Sequence, residues 1–336
     1  MGAYGGFVPG QQCPYDRDVT RPFVDHIRIE DYRCVRKVDV ALTRLHAFIG
    51  PNDSGKSTIL SALLDGRFTG WVGDVGLHPH AQVWASGAFP QQVLTGELPD
   101  EASRGRAVSA LSPIRRLRLD PDALRAEATL IPDRAELWFG NERGHGLPAL
   151  YDALVSRDLN AYAAIGAEFS RLFPNARQLG LYNADAQRKQ LRVQLADQTW
   201  VEPRHLSEGM LYWLAFAIVE ALAPAAMLLI EEPENGLHPA RIKEVMGLLR
   251  RFSARTQILL ATHNPLVINE LEPDEVTVVT RSAERGTICT PMRQTKNFDE
   301  RAEAYALGEL WLSYADGDTE AELVGPDAAP PTAKAG

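Results

Sequence analysis

Cysteine is scarce in this chain. Cys13, Cys34 and Cys289 are too few and too scattered for a disulfide framework or a zinc site, a usage that points to a reducing cytosol. No apolar run opens the sequence; its first residues are rich in Gly and Pro, so a secretory leader is not expected. Basic residues are outnumbered, 35 Lys and Arg against 44 Asp and Glu, and the net charge of −9 argues against broad adhesion to nucleic acid. Heptad repeats are missing, which excludes a long coiled-coil arm. Residues 210–230 come nearest to a membrane span, but Glu220 and Pro224 interrupt them. Their two halves read as a helix and a strand, each shorter than the roughly 20 residues a bilayer requires. His78 and His80 have no third ligand in sight and read as a surface turn.

What is present is a large apolar fraction, 45% of 336 residues, enough for one elaborated domain with a sizeable core. Four motifs follow one another inside it. In the first, Gly50-Pro-Asn52-Asp-Ser54-Gly55-Lys56-Ser57-Thr58 follows the apolar strand Leu45–Ile49 and opens a helix expected over 57–64. In that context the glycines let backbone N–H groups close around phosphates, Lys56 reaches the β and γ phosphates, and the Ser57 hydroxyl sits on Mg²⁺. The pattern is that of a loop for ATP or GTP.

The second motif, in chain order, is Leu206-Ser207-Glu208-Gly209-Met210, ahead of an apolar helix. Ser207 reads as the N-cap, and Gly209 in the first turn permits close approach of an anion. The third is an apolar strand, 227–230, ending in the adjacent carboxylates Glu231 and Glu232. A hard cation takes oxygen ligands and an attacking water needs a base, so Glu231 is assigned to the metal and Glu232 to the water. The fourth is the strand 257–261 running into Thr262, His263, Asn264 and Pro265. His263, at the carboxyl end of a strand where ligands bind in α/β sheets, is assigned a hydrogen bond to the terminal phosphate.

Taken together these residues resemble the ABC-type ATPase head, and within it the RecF/Rad50/SMC-like and OLD-type bacterial ATPases of the AAA family. The resemblance runs over about residues 25–312, and Glu231-Glu-Pro-Glu-Asn-Gly-Leu-His-Pro239 carries much of it. A Gly-Gly-Gln signature and a Ser-Ala-Leu-Asp loop, expected in transporter subunits, are absent. The resemblance implies an α/β P-loop fold with a central mixed, mostly parallel sheet and flanking helices. It also implies a head-to-tail homodimer sandwiching two ATP molecules, with Ser207 and Gly209 of one subunit facing the P-loop of the other. A glutamine between the P-loop helix and Ser207 is expected on Mg²⁺; Gln82, Gln91 and Gln92 are the candidates.

The organisation expected is an extension over 1–23, an ATPase domain over 24–315 and a disordered tail over 316–336. Within the domain an inserted lobe covers 66–143, with a strand near 116–119, and a helical signature subdomain covers 148–222. The stretch after Asp316 is too short for a TOPRIM nuclease domain. Basic clusters at 113–119 and 187–192 read as solvated strand faces, with DNA a candidate ligand. Three functions are compatible. The leading one is a cytosolic ATPase switch acting through a protein effector in a defence or toxin-antitoxin-like system. The others are a DNA-binding repair ATPase and a slow-turnover ATP-gated scaffold, the last suggested by Glu231 standing where Asp is commoner.

Overall fold

The computed structural model describes residues 24–65, 82–87, 114–222, 225, 227–282 and 284–314, with backbone alone at 82–87 and 313–314. Cys13, His78, His80, Gln91, Gln92, the extension 1–23 and the tail 316–336 lie outside them. The strands are β1 (Val24–Tyr32), β2 (Val35–Ala41), β3 (Leu45–Ile49), β4 (Gln82–Gly87), β5 (Ile114–Leu117), β6 (Ala128–Thr129), β7 (Ala176–Asn183), β8 (Arg188–Leu195), β9 (Trp200–Val201), β10 (Met227–Glu231), β11 (Gln257–Thr262), β12 (Val276–Ser282) and β13 (Gly286–Pro291). The helices are α1 (Lys56–Asp65), α2 (Pro121–Arg125), α3 (Leu147–Arg157), α4 (Leu159–Leu172), α5 (Glu208–Ala221), α6 (Pro239–Ser253), α7 (Pro265–Ile268), α8 (Phe298–Ala302) and α9 (Leu307–Tyr314).

The central sheet runs in the order β13-β12-β3-β11-β10-β5, parallel except for β13. Every residue of β3, β10 and β11 is buried, which is why these strands read as unbroken apolar runs rather than alternating ones. Their side chains nevertheless alternate between two cores. Leu45, Ala47, Ile49, Leu228, Ile230, Ile258 and Leu260 join one cluster with α5 and α6. Phe48, Leu229, Leu259 and Ala261 join the other, with α1, β1 and β2. Helix α5 is apolar on all sides and buries residues 211–219 without a break, as a helix enclosed by protein must.

A three-stranded antiparallel sheet, β2-β1-β4, caps the α1 side, and β6, β8, β7 and β9 form a third sheet beside α3 and α4. The strand expected in an inserted lobe at 116–119 is β5. It pairs in parallel with β10 and forms the edge of the core sheet, so the end of the 66–143 stretch returns to the core. Residues 159–172 form α4, separated from α3 by the single residue Asp158, whose carboxylate accepts from Ala161 N at 2.9 Å and caps α4. Two helices, α8 and α9, follow β13.

Candidate active site

Because β3, β10 and β11 run in parallel as neighbours, their carboxyl ends lie on one edge. That edge carries the loop after Ile49, the pair Glu231-Glu232, and Thr262-His263, the crevice where open α/β sheets bind ligands. A cavity of about 550 Å³ opens there, lined by Lys56, Ser57, Thr58, Arg118, Glu231 and Glu232, among others.

The loop is shaped by its surroundings. A Cβ on Gly50 would lie 2.1 Å from the Val279 carbonyl oxygen, and one on Gly55, at φ 112°, would meet the Thr287 hydroxyl at 2.3 Å. Only glycine fits either position. The same Thr287 hydroxyl donates to the Ser54 carbonyl at 3.0 Å. Asn52 and Asp53 stand exposed at the crest, with Asp53 at φ 66°.

Lys56 begins α1 and is 9% exposed. Its Nζ donates to the carbonyls of Gly50 (2.8 Å) and Pro51 (2.7 Å). Burial pulls its pKa below the lysine range, against the pull of Glu232, Asp53, Glu234 and Glu231. The Ser57 hydroxyl donates to Glu231 Oε2 at 3.1 Å, while Arg116 of β5 holds Glu231 Oε1.

Glu232 follows at φ 48°, a left-handed conformation that a non-glycine residue keeps only when its surroundings enforce it. Its N–H donates to Ala261 O at 2.8 Å and Asn235 Nδ2 donates to its Oε2 at 2.7 Å. Its Oε1 stands 3.9 Å from His263 Nδ1. The His263 ring is half exposed, and its backbone carbonyl accepts from Trp311 Nε1 of α9 at 3.2 Å.

Lys56, Ser57, Thr58, Glu231 and Glu232 thus meet on one cavity. Ser207 and Gly209 do not line it. Ser207 caps α5, accepting from Met210 N at 3.4 Å, and Gly209 packs against the Gly236 carbonyl. Gln82 begins β4, paired with β1 rather than with the core sheet.

Sequence reasoning missed Arg118 as a cavity residue and Arg116 as the partner of Glu231, because alternation with Leu117 and Leu119 read as an ordinary solvated face. The other basic clusters are answered by carboxylates. Arg115 pairs with Glu136, Arg188 with Asp185 and Glu127, and Lys189 with Asp152. Arg192 stacks over Trp200 at 3.9 Å.

Residues 95–269, more than half of the chain, match the family model described as "AAA domain, putative AbiEii toxin, Type IV TA system". The chain belongs to this family. Residues 23–65 of this AAA-domain protein match a second model, the AAA ATPase domain. The chain is also similar to the energy-coupling factor transporter ATP-binding protein EcfA1 of Methanospirillum hungatei, 35% identical over 71 residues, 20% of this chain and 25% of that protein. The match spans about a quarter of that relative's length. Among solved structures, an Smc head bound to the C-terminal winged-helix domain of ScpA superposes with a TM-score of 0.53 at 14% identity, over 80% of this chain and 97% of that one. The fold is that of ABC-type P-loop ATPases. Among the described residues no helix is long and apolar enough to cross a membrane.

Proposed function

We propose that this AAA-domain ATPase hydrolyses ATP as an ATP-bridged homodimer in the cytoplasm, and that it acts through a protein effector in a bacterial defence or toxin-antitoxin-like system. The observation that carries the reading is the convergence of Lys56, Ser57, Glu231 and Glu232 on one cavity at the sheet's carboxyl edge. The loop 50–58 takes the phosphates, with Gly50, Asn52, Ser54, Gly55 and Thr58 shaping the cradle and Lys56 Nζ exchanging the Gly50 and Pro51 carbonyls for phosphate oxygens.

The donor set also fits Mg²⁺. The Ser57 hydroxyl and Glu231 Oε2 are hard oxygen donors 3.1 Å apart. An ion held there would take its remaining ligands from water and phosphate. Bound there, Mg²⁺ neutralises charge on the transferred phosphoryl group. Glu232, fixed by Asn235, accepts the proton of the attacking water, and His263 donates to the terminal phosphate.

Ser207 and Gly209 stand off the cavity of their own subunit, which favours a role toward the nucleotide of a second copy. The pairing of the basic clusters with carboxylates favours a protein partner over DNA, and the similar Smc head is bound to a protein, ScpA. Steady-state ATP hydrolysis, with and without single- and double-stranded DNA and with Glu232→Gln as the blank, tests the reading. Turnover indifferent to DNA supports it. Stimulation by DNA transfers the protein to the repair class, and turnover at the level of the blank makes it an ATP-gated scaffold.

A further inference from the structure

The carboxylate of Glu231 is engaged on both oxygens, Oε1 by Arg116 and Oε2 by Ser57. Strand β5 supplies Arg116 and ends at Leu117, and a second guanidinium, Arg118, is the first residue past it. Arg116 is spent on Glu231, with 18% of its side chain exposed. Arg118 lines the cavity with its side chain 64% exposed, and its Nε reaches Glu231 Oε2 only at 3.9 Å, a long ion pair.

The cavity's cations are Lys56, Arg118 and Arg281, facing the carboxylates of Asp53, Glu231 and Glu232. Lys56 and Arg281 both attach to the loop, Lys56 through the Gly50 and Pro51 carbonyls and Arg281 through the Asp53 carbonyl at 3.5 Å. Arg118 enters from another wall, past the end of edge strand β5 and beside the Ser57–Glu231 pair. A neighbouring cavity of about 530 Å³ shares Cys34, Asn52, Asp53 and Arg281 with this one but contains neither Arg118 nor Glu231. A nucleotide lying across both would put its terminal phosphate at the Arg118 end.

Building on the reading of this cavity as the ATP site, we propose that Arg118 contacts the terminal phosphate and makes the site discriminate a nucleoside triphosphate from a diphosphate. Among the described residues between α1 and α5, the side chain that lines this cavity is an arginine and not a glutamine. The difference is chemical. A glutamine carbonyl can ligate a metal, whereas a guanidinium has only donors, stays charged, and matches phosphate oxygens in a two-pronged contact.

The test is equilibrium binding by calorimetry, in Mg²⁺, of ADP and of a β,γ-imido ATP analogue that is not hydrolysed. Arg118→Ala is expected to weaken the triphosphate analogue roughly ten- to hundredfold and ADP less than about twofold. Arg118→Lys keeps the charge and recovers part of the loss. Equal losses for both ligands, or no loss for either, overturn the proposal while leaving the ATP site standing. A wild-type protein that binds neither ligand overturns the site and the proposal together. An unchanged thermal midpoint, expected for so exposed a side chain, shows that the variant is folded.

Discussion

The Thr262 hydroxyl donates to Glu234 Oε1 at 2.6 Å, tying the turn after β10 to the end of β11. The same hydroxyl oxygen accepts from Asn264 N at 3.0 Å, so the carboxyl of Glu234 sets the geometry on both sides of His263. Glu234 is buried, and its Oε2 lacks a hydrogen-bond partner among the described residues.

Burial pushes the Glu234 pKa up, with Thr262 opposing. The folded state therefore binds this proton more tightly than the unfolded chain. Its contribution to stability is complete below the ordinary carboxyl pKa and is lost as pH rises through the raised value. Urea unfolding across that window is expected to show a slope component of at most about 1.4 kcal/mol per pH unit from this single proton. Glu234→Gln removes that component; an identical slope in both proteins refutes the assignment.

Lys56→Ala removes the one ammonium held inside the loop. Nucleotide binding is expected to fall below detection in a titration with a fluorescent ATP analogue, with the fold intact by circular dichroism. Normal affinity in this variant would contradict the placement of the phosphates at 50–58.

Glu232→Gln keeps the side chain's shape and its bond from Asn235 but loses the proton acceptor. The expected outcome is tight ATP binding, turnover reduced about 10²- to 10⁴-fold, and accumulation of dimer. Light scattering with ATP and Mg²⁺ checks it, and a mass that stays monomeric would be fatal to the sandwich.

Ser207→Arg puts a long cation at the exposed start of α5, away from the cavity of its own subunit. Single-subunit ATP binding is expected to survive while ATP-driven dimerisation is lost. Sedimentation of the Glu232→Gln background with and without the second substitution reads this directly, and dimers in both would exclude the cross-subunit role.

Gly308→Ala tests the support behind His263. A Cβ there would lie 2.1 Å from the Pro265 carbonyl oxygen, pushing away the helix whose Trp311 holds the His263 backbone. The expected cost is about 1–3 kcal/mol of stability, with kcat lowered and ATP affinity unchanged; urea unfolding and steady-state kinetics separate the two effects.

The strands β3, β10 and β11 and the motifs at their ends were legible because burial on both faces leaves an apolar run, and a turn packed against Val279 and Thr287 leaves glycines. Ser207 was legible as a cap because its partner, Met210, is three residues away. What escaped was non-local. The partner of Arg116 is Glu231, 115 residues further on, and nothing in the spacing of 113–119 announces it.

The contact between Thr287 and Ser54 spans 233 residues, and β3 itself is flanked by strands that begin at Gln257 and Val276. A chain emerging from the ribosome makes the loop early and its walls late. Chains grow at about 5–20 residues per second, so the segment 50–58 waits on the order of ten seconds or more for the hairpin that shapes it. The loop therefore takes its final shape only after residues 257–291 have been made.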